Sequence, residues 1–186
     1  MTPQFEAAWE VCNFLQQNHI PHAVIGGVAV QYWGEPRFTH DVDLSIATPL
    51  EEGSGPLVEM ITRHFTSRVE NPLDFARQTR MLLIAANNGI FVDISLALPG
   101  YEDDVFKRAI SYSLESNKTI RLCSAEDLII HKSVAGRPQD ITDIEGIILR
   151  QKTKLDATYI RYWLTQFAEI LGNPEIEARF ERLYKN

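Results

Sequence analysis

Residues 80–98, RMLLIAANNGIFVDISLAL, constrain the fold more than any other stretch: two apolar runs flank Asn87-Asn88-Gly89. Asn and Gly tolerate the positive φ that tight turns need, so the segment reads as a β-hairpin with Asp93 on its second strand. A different junction precedes it. HAVIGGVAVQYWG reads as a short buried strand over 22–25 that breaks at Gly26-Gly27 into a helix of about two turns, stopping near Gly34, Glu35 and Pro36. Hairpins together with a strand-to-helix turn predict a mixed sheet in an α+β fold. They argue against a regular doubly wound βαβ arrangement.

The rest of the chain fits around that sheet. Apolar positions Phe5, Ala8, Trp9, Cys12 and Leu15 have helical spacing over residues 3–19, ended by Pro21. PLEEGSG, residues 49–55, reads as a flexible connection, and PLVEMITRHF after it as a helix. YEDDVFKRA forms a short helix whose acidic start suits the helix dipole, and ISYSLESNKTIRLC a second hairpin around Ser116-Asn117-Lys118. From Ser124 the pattern becomes helical throughout. Ser124 with Asp127 resembles a capping box, Pro138 opens a second helix, Asp156 a third, and Asn173-Pro174 a fourth. Two parts are expected: a mixed-sheet core over residues 1–123 and a C-terminal helical part over 124–186, packed on that core.

With 186 residues, 45% of them hydrophobic, the chain can build a proper core without staples. Cys12 and Cys123 form no CxxC pair and read as buried thiols of a protein in a reducing compartment. No apolar run approaches the ~20 residues needed to span a bilayer, so a cytoplasmic protein without membrane association is expected. The formal charge of −7, from 25 acidic and 18 basic residues, predicts no broad electrostatic hold on nucleic acid.

THDVDLSI, residues 39–46, places Asp41 and Asp43 at alternate positions of an apolar strand, hence on one face, with Val42, Leu44 and Ile46 on the other. Like charges held together call for water, a shared proton or a cation. Asp93 and Ser95 repeat the pattern of Asp43 and Ser45, so a third carboxylate can join from a neighbouring strand. Three convergent acids suit octahedral oxygen coordination of Mg²⁺ completed by substrate phosphates. The Gly26-Gly27 turn adds a place where backbone approaches a ligand closely and the first amides of a helix face an anion. The other candidates have ordinary explanations. His19, His22 and His64 lack metal-ligand spacing, His40 points away from Asp41, and His131 is a helix-face residue. Trp163, Phe167 and Leu171 recur at helical intervals as core residues. GxxxxGK, HExxH and GxSxG do not occur, which removes support for those enzyme classes.

Gly26-Gly27, then thirteen residues, then Asp41-Val42-Asp43-Leu44, with Asp93 on a later strand, resembles the signature of the nucleotidyltransferase superfamily of the DNA polymerase beta type. Within it, the chain is similar to the AbiEii-like branch, which includes toxin or antitoxin components of bacterial toxin-antitoxin systems. The likeness covers residues 22–96 and extends to EDLIIHKSVAGRPQDITD in the helical part.

The resemblance implies that Asp41 and Asp43 ligate Mg²⁺ or Mn²⁺ on an NTP, and that Asp93 completes the metal site and activates an acceptor hydroxyl. It implies that Gly26 and Gly27 hold the β- and γ-phosphates and that Lys132 faces the triphosphate. Arg137 and Asp140 contact substrate or orient Lys132; Arg37 and Thr39, flanking the acids, reach phosphate. Gly27 stands where many relatives have Ser, so backbone amides must serve there alone. The implied reaction moves NMP to a hydroxyl of tRNA, protein or a small molecule. The rival expectation is a weakly catalytic or inactive binding protein that engages a cognate toxin or antitoxin.

Overall fold

The computed structural model describes residues 1–48 and 54–185, so most of the connection expected at 49–55 lies outside the described residues. The chain forms two compact units, one of Met1–Val28 with Phe38–Cys123 and one of Ala29–Arg37 with Ser124–Asn186. The stretch after the diglycine turn therefore belongs with the helical unit rather than with the sheet.

The first unit is built on seven strands: β1 (His22–Ile25), β2 (Val42–Ala47), β3 (Thr66–Ser67), β4 (Met81–Ala85), β5 (Phe91–Ala97), β6 (Ile110–Ser113) and β7 (Thr119–Leu122). Their order is β3-β4-β5-β2-β1-β7-β6, with β2–β5 and β1–β7 parallel and the other pairs antiparallel. This is the mixed sheet expected. Both hairpins form, with Gly89 at φ +81° and Asn117 at φ +58° supplying the positive φ of their turns.

Strand alternation gives the sheet two unlike faces. Val42, Leu44, Ile46, Leu82, Ile84, Val92, Ile94 and Leu96 are buried on one side. Helix α1 (Pro3–Gln17) lies against the sheet and inserts Ala7, Ala8, Val11, Cys12 and Leu15 into the core. Burial of that order, at roughly 25 cal/mol per Å² of apolar area, is what holds the unit together. The other face carries Asp43, Ser45, Asp93 and Ser95. Its far end meets α5 (Tyr101–Arg108), where the Ser45 hydroxyl donates to Glu102 at 2.8 Å. Helices α2 (Gly26–Trp33), α3 (Gly55–His64) and α4 (Pro72–Thr79) occupy the connections.

The second unit contains α6 (Ala125–Ala135), α7 (Pro138–Gln151), α8 (Ala157–Leu171) and α9 (Glu175–Tyr184). Ser124 caps α6 by accepting from the Asp127 amide, and Asp156 caps α8 by accepting from Tyr159. Gly136 and Gly172 end α6 and α8 in the left-handed conformation. The apolar stripe of α8 departs from expectation: Ile160 and Leu164 are buried, Trp163 and Phe167 only half-buried, and Leu171 is 56% exposed. The stripe drifts out of the interface over the helix's last turns, because contact with α6 and α9 covers only part of its circumference.

Candidate functional site

β1 delivers the chain to Gly26, whose φ is +61°. A side chain there is excluded twice. Its Cβ would stand 1.9 Å from Asp43 Oδ2, so the Asp43 carboxylate lies directly over the Gly26 backbone. A Cβ on Gly27 would stand 2.6 Å from Thr39 Oγ1. The diglycine therefore lets the turn nest under the acidic segment, and hydroxyl and carboxylate oxygens occupy the space that side chains would take.

Asp41 lies in a bend just before β2 rather than on the strand itself, a difference with a local cause. The buried Thr39 hydroxyl lies 3.2 Å from the Asp41 carbonyl oxygen and 3.3 Å from Asp41 Oδ1, and the Thr39 carbonyl accepts from Gln4 Nε2 at 3.1 Å. These contacts turn the backbone before the β2 ladder begins.

Asp43 and Asp93 are direct partners in the parallel β2–β5 register, followed by Ser45 beside Ser95. Neighbours in register share a face, so the strand pairing alone brings these two acids together. Asp93 is also held by Arg68, whose guanidinium donates to Asp93 Oδ1 and lies over the Phe91 ring at 4.1 Å from its centroid. Among the described residues, no three His, Cys, Asp or Glu side chains form a ready-made cage for a metal. The donor chemistry nevertheless fits a hard divalent cation: every candidate ligand is a carboxylate oxygen, and the position already attracts a cationic side chain.

In the second unit the remaining candidates form a charge network. Lys132, 4% exposed, donates to Asp140 Oδ1 at 3.0 Å and to Asp143 Oδ2 at 2.6 Å. Arg137 grips Asp140 through Nε at 2.7 Å and through its backbone amide at 3.1 Å. Arg37 holds Asp143 with both Nε and Nη2, at 2.8 and 2.9 Å, and Gln139 adds an amide at 3.2 Å. Burial would raise the pKa of Asp143, but hydrogen bonds from Arg37 and Lys132 outweigh it and bring the group down to about 2. Asp140 is lowered in the same way: burial opposes the shift, and Arg137 and Lys132 prevail. Three cations thus meet two carboxylates. Burial meanwhile pushes the Cys12 thiol up to about 12, and both cysteines are buried and outside any disulfide, as core thiols should be.

Two participants carried little sequence signal. Arg68 sits in FTSRVE, with no motif around it, and meets Asp93 only because the sheet folds back on itself. Asp143 follows Asp140 at the i,i+3 spacing of one helix face, a hint of shared partners.

The sheet, its flanking helices and the following helical unit make this a nucleotidyltransferase fold. Residues 4–181 match the family described as "Nucleotidyl transferase of unknown function (DUF2204)", and the chain belongs to it. No curated protein sequence matches. Among solved structures, the chain resembles antibiotic-resistance factor ANT(2'')-Ia in solution, with a TM-score of 0.58, 17% identity, and coverage of 92% of this chain and 95% of that one. The crystal structure of ANT(2")-Ia in complex with adenylyl-2"-tobramycin gives a TM-score of 0.57 at 18% identity, covering 91% and 99%. An antigenic nucleotidyltransferase-like protein from Paracoccidioides brasiliensis gives 0.54 at 16% identity, covering 97% and 98%. At such identities the likeness concerns the fold. No helix among the described residues is long and apolar enough to cross a membrane.

Proposed function

We infer that the chain transfers a nucleoside monophosphate from an NTP to an acceptor hydroxyl, releasing pyrophosphate. The observation that carries this reading is the register of Asp43 beside Asp93 on the polar face of the sheet, with the Asp43 carboxylate lying over the Gly26 turn. Asp41, Asp43 and Asp93 would hold Mg²⁺ or Mn²⁺, which when bound neutralises phosphate charge and polarises the reacting oxygens. Gly26 and Gly27 offer backbone to the β- and γ-phosphates, and Thr39 fixes the bend that aims Asp41.

The acceptor oxygen bonds to the α-phosphorus as the α–β bridging bond breaks. Its proton passes to the Asp93 carboxylate, and pyrophosphate leaves with the bond's electrons. In the second unit, Arg37 and Arg137 are the phosphate-contacting groups, and Lys132 and Asp140 hold that network in place. The buried cysteines, which form no disulfide, support a reducing cytoplasmic setting.

The test is label transfer from an α-labelled NTP to a panel of RNA, protein and small-molecule acceptors. In Asp43→Asn and Asp93→Asn, transfer falls at least about a hundredfold, and Asp93→Asn changes the melting temperature little, because the lost Arg68 contact is only partly buried. Transfer at wild-type rates in either variant would defeat the assignment.

One observation favours a second reading, a catalytically weak AbiEii-like antitoxin or binding protein: Arg68 already engages the third carboxylate. That reading expects Mg²⁺-dependent NTP binding, no transfer to any acceptor, and capture of a cognate toxin or antitoxin partner. In it, Arg68→Ala raises affinity for the metal–nucleotide complex, measured by calorimetry.

A further inference from the structure

Residues 68–78, which join β3 to α4 and run along that helix, line an open, solvent-facing cavity of about 620 Å³ in the first unit, most of its lining residues being exposed. Its wall includes Arg68, Glu70, Asn71, Asp74, Phe75 and Gln78. The volume lies within the range of small-molecule sites. Its position relative to the acids is fixed by one side chain, since Arg68 lines the cavity and also binds Asp93. Arg68 therefore links the cavity wall to the carboxylate proposed to take the acceptor's proton.

The lining limits what can enter. Arg68 spends its charge on Asp93 and lies over the Phe91 ring, which leaves Glu70 and Asp74 to set the field. Asp74 makes a long 3.7 Å contact to the exposed Arg77. A phosphodiester backbone laid here would meet two carboxylates on a protein of net charge −7. Asn71 and Gln78 offer both donors and acceptors, as hydroxyl groups require. Phe75, half-buried, presents the apolar surface on which the C–H face of a sugar ring packs.

We propose that this cavity is the acceptor subsite, and that it takes a small hydroxyl-bearing cation of amino-sugar chemistry rather than an RNA end. Glu70 and Asp74 bind the acceptor's ammonium groups, Asn71 and Gln78 its hydroxyls, and Phe75 its ring. The proposal rests on the transferase reading above and adds the class of acceptor.

The experiment compares four probes by calorimetry at low salt and by label transfer from an α-labelled NTP with Mg²⁺. The glucosamine trimer and tobramycin are cationic, the N-acetylglucosamine trimer keeps the sugar skeleton without charge, and bulk tRNA is the polyanion. Both cationic probes are expected to bind in the absence of nucleotide and to accept label, while the acetylated trimer and tRNA do neither. Glu70→Gln with Asp74→Asn raises the KM for the cationic probes about tenfold or more, leaving kcat and the Kd for the metal–nucleotide complex near wild type. If neither cationic probe binds at millimolar concentration, if charge removal leaves binding intact, or if tRNA is labelled in preference, the acceptor assignment is wrong while the transferase reading stands. Failure to bind Mg²⁺–NTP at all would instead remove the transferase reading.

Discussion

Gly26 shows how a single residue couples backbone conformation to the acids. Alanine at this position would have to hold a φ of +61° and place its methyl group 1.9 Å from Asp43 Oδ2. The left-handed backbone alone costs roughly 1–2 kcal/mol. The carboxylate oxygen can rotate away, but Asp43 Cβ, 2.8 Å from the added methyl group, cannot, so the turn and the strand must shift apart and carry Asp43 out of place. Gly26→Ala is therefore expected to lower stability in chemical denaturation by more than the backbone cost alone and to reduce nucleotidyl transfer about a hundredfold, the usual effect of misplacing a reacting group by about an ångström. Equal losses in Gly26→Ala and Asn88→Ala, a hairpin variant remote from the acids, would show that the effect is general destabilisation.

At the scale of elements, the parts that could be read from the sequence are those whose signal is local. β1, the β4–β5 hairpin and the four C-terminal helices announce themselves through alternation, Asn-Gly turns, caps and terminal glycines. By contrast, β3 has two residues and α4 buries only Ala76, so neither leaves a periodic pattern, although Asn71-Pro72 marks a helix start. The acids were legible as types at a spacing; that Arg68 pairs with Asp93 depends on the β3–β4–β5 meander, which no local signal encodes. Helix α6 shows the same limit. Its buried residues lie all round the helix, and Lys132 is one of them, an ammonium placed inside because α7 supplies Asp140 and Asp143. Lys132→Met removes that cation and leaves two buried carboxylates short of a partner, with an expected cost of about 3–5 kcal/mol. Lys132→Met combined with Asp143→Asn should recover part of the loss, a coupling that a double-mutant cycle in urea measures directly. Strict additivity would mean that the pair does not act as a pair.

For the whole molecule, the two compact units carry their titratable groups in different pH windows. In the first, burial holds the His22 pKa below its ordinary value, helped by the charge of Arg121 and opposed by the Ile20 carbonyl. The unfolded chain then binds a proton that the folded unit refuses, so stability falls as pH drops below the ordinary imidazole value of 6.5 toward the depressed one. In the second unit, Asp143 at about 2, against 3.8 for an ordinary Asp, contributes stability that is fully present above 3.8 and lost as pH falls toward 2. That loss amounts to roughly 2 kcal/mol. Trp9 belongs to the first unit and Trp163 to the second, so each can report its own surroundings. Urea melts of Trp33→Phe/Trp163→Phe, followed by Trp9 fluorescence, should weaken between pH 7 and 5. Melts of Trp9→Phe/Trp33→Phe, followed by Trp163, should hold over that range and weaken between pH 4 and 2, and Asp143→Asn should reduce this second response, with Asp140 supplying part of the remainder. Coincident transitions at every pH would mean that the chain unfolds as a single cooperative body, in which neither His22 nor Asp143 acts on its own unit alone.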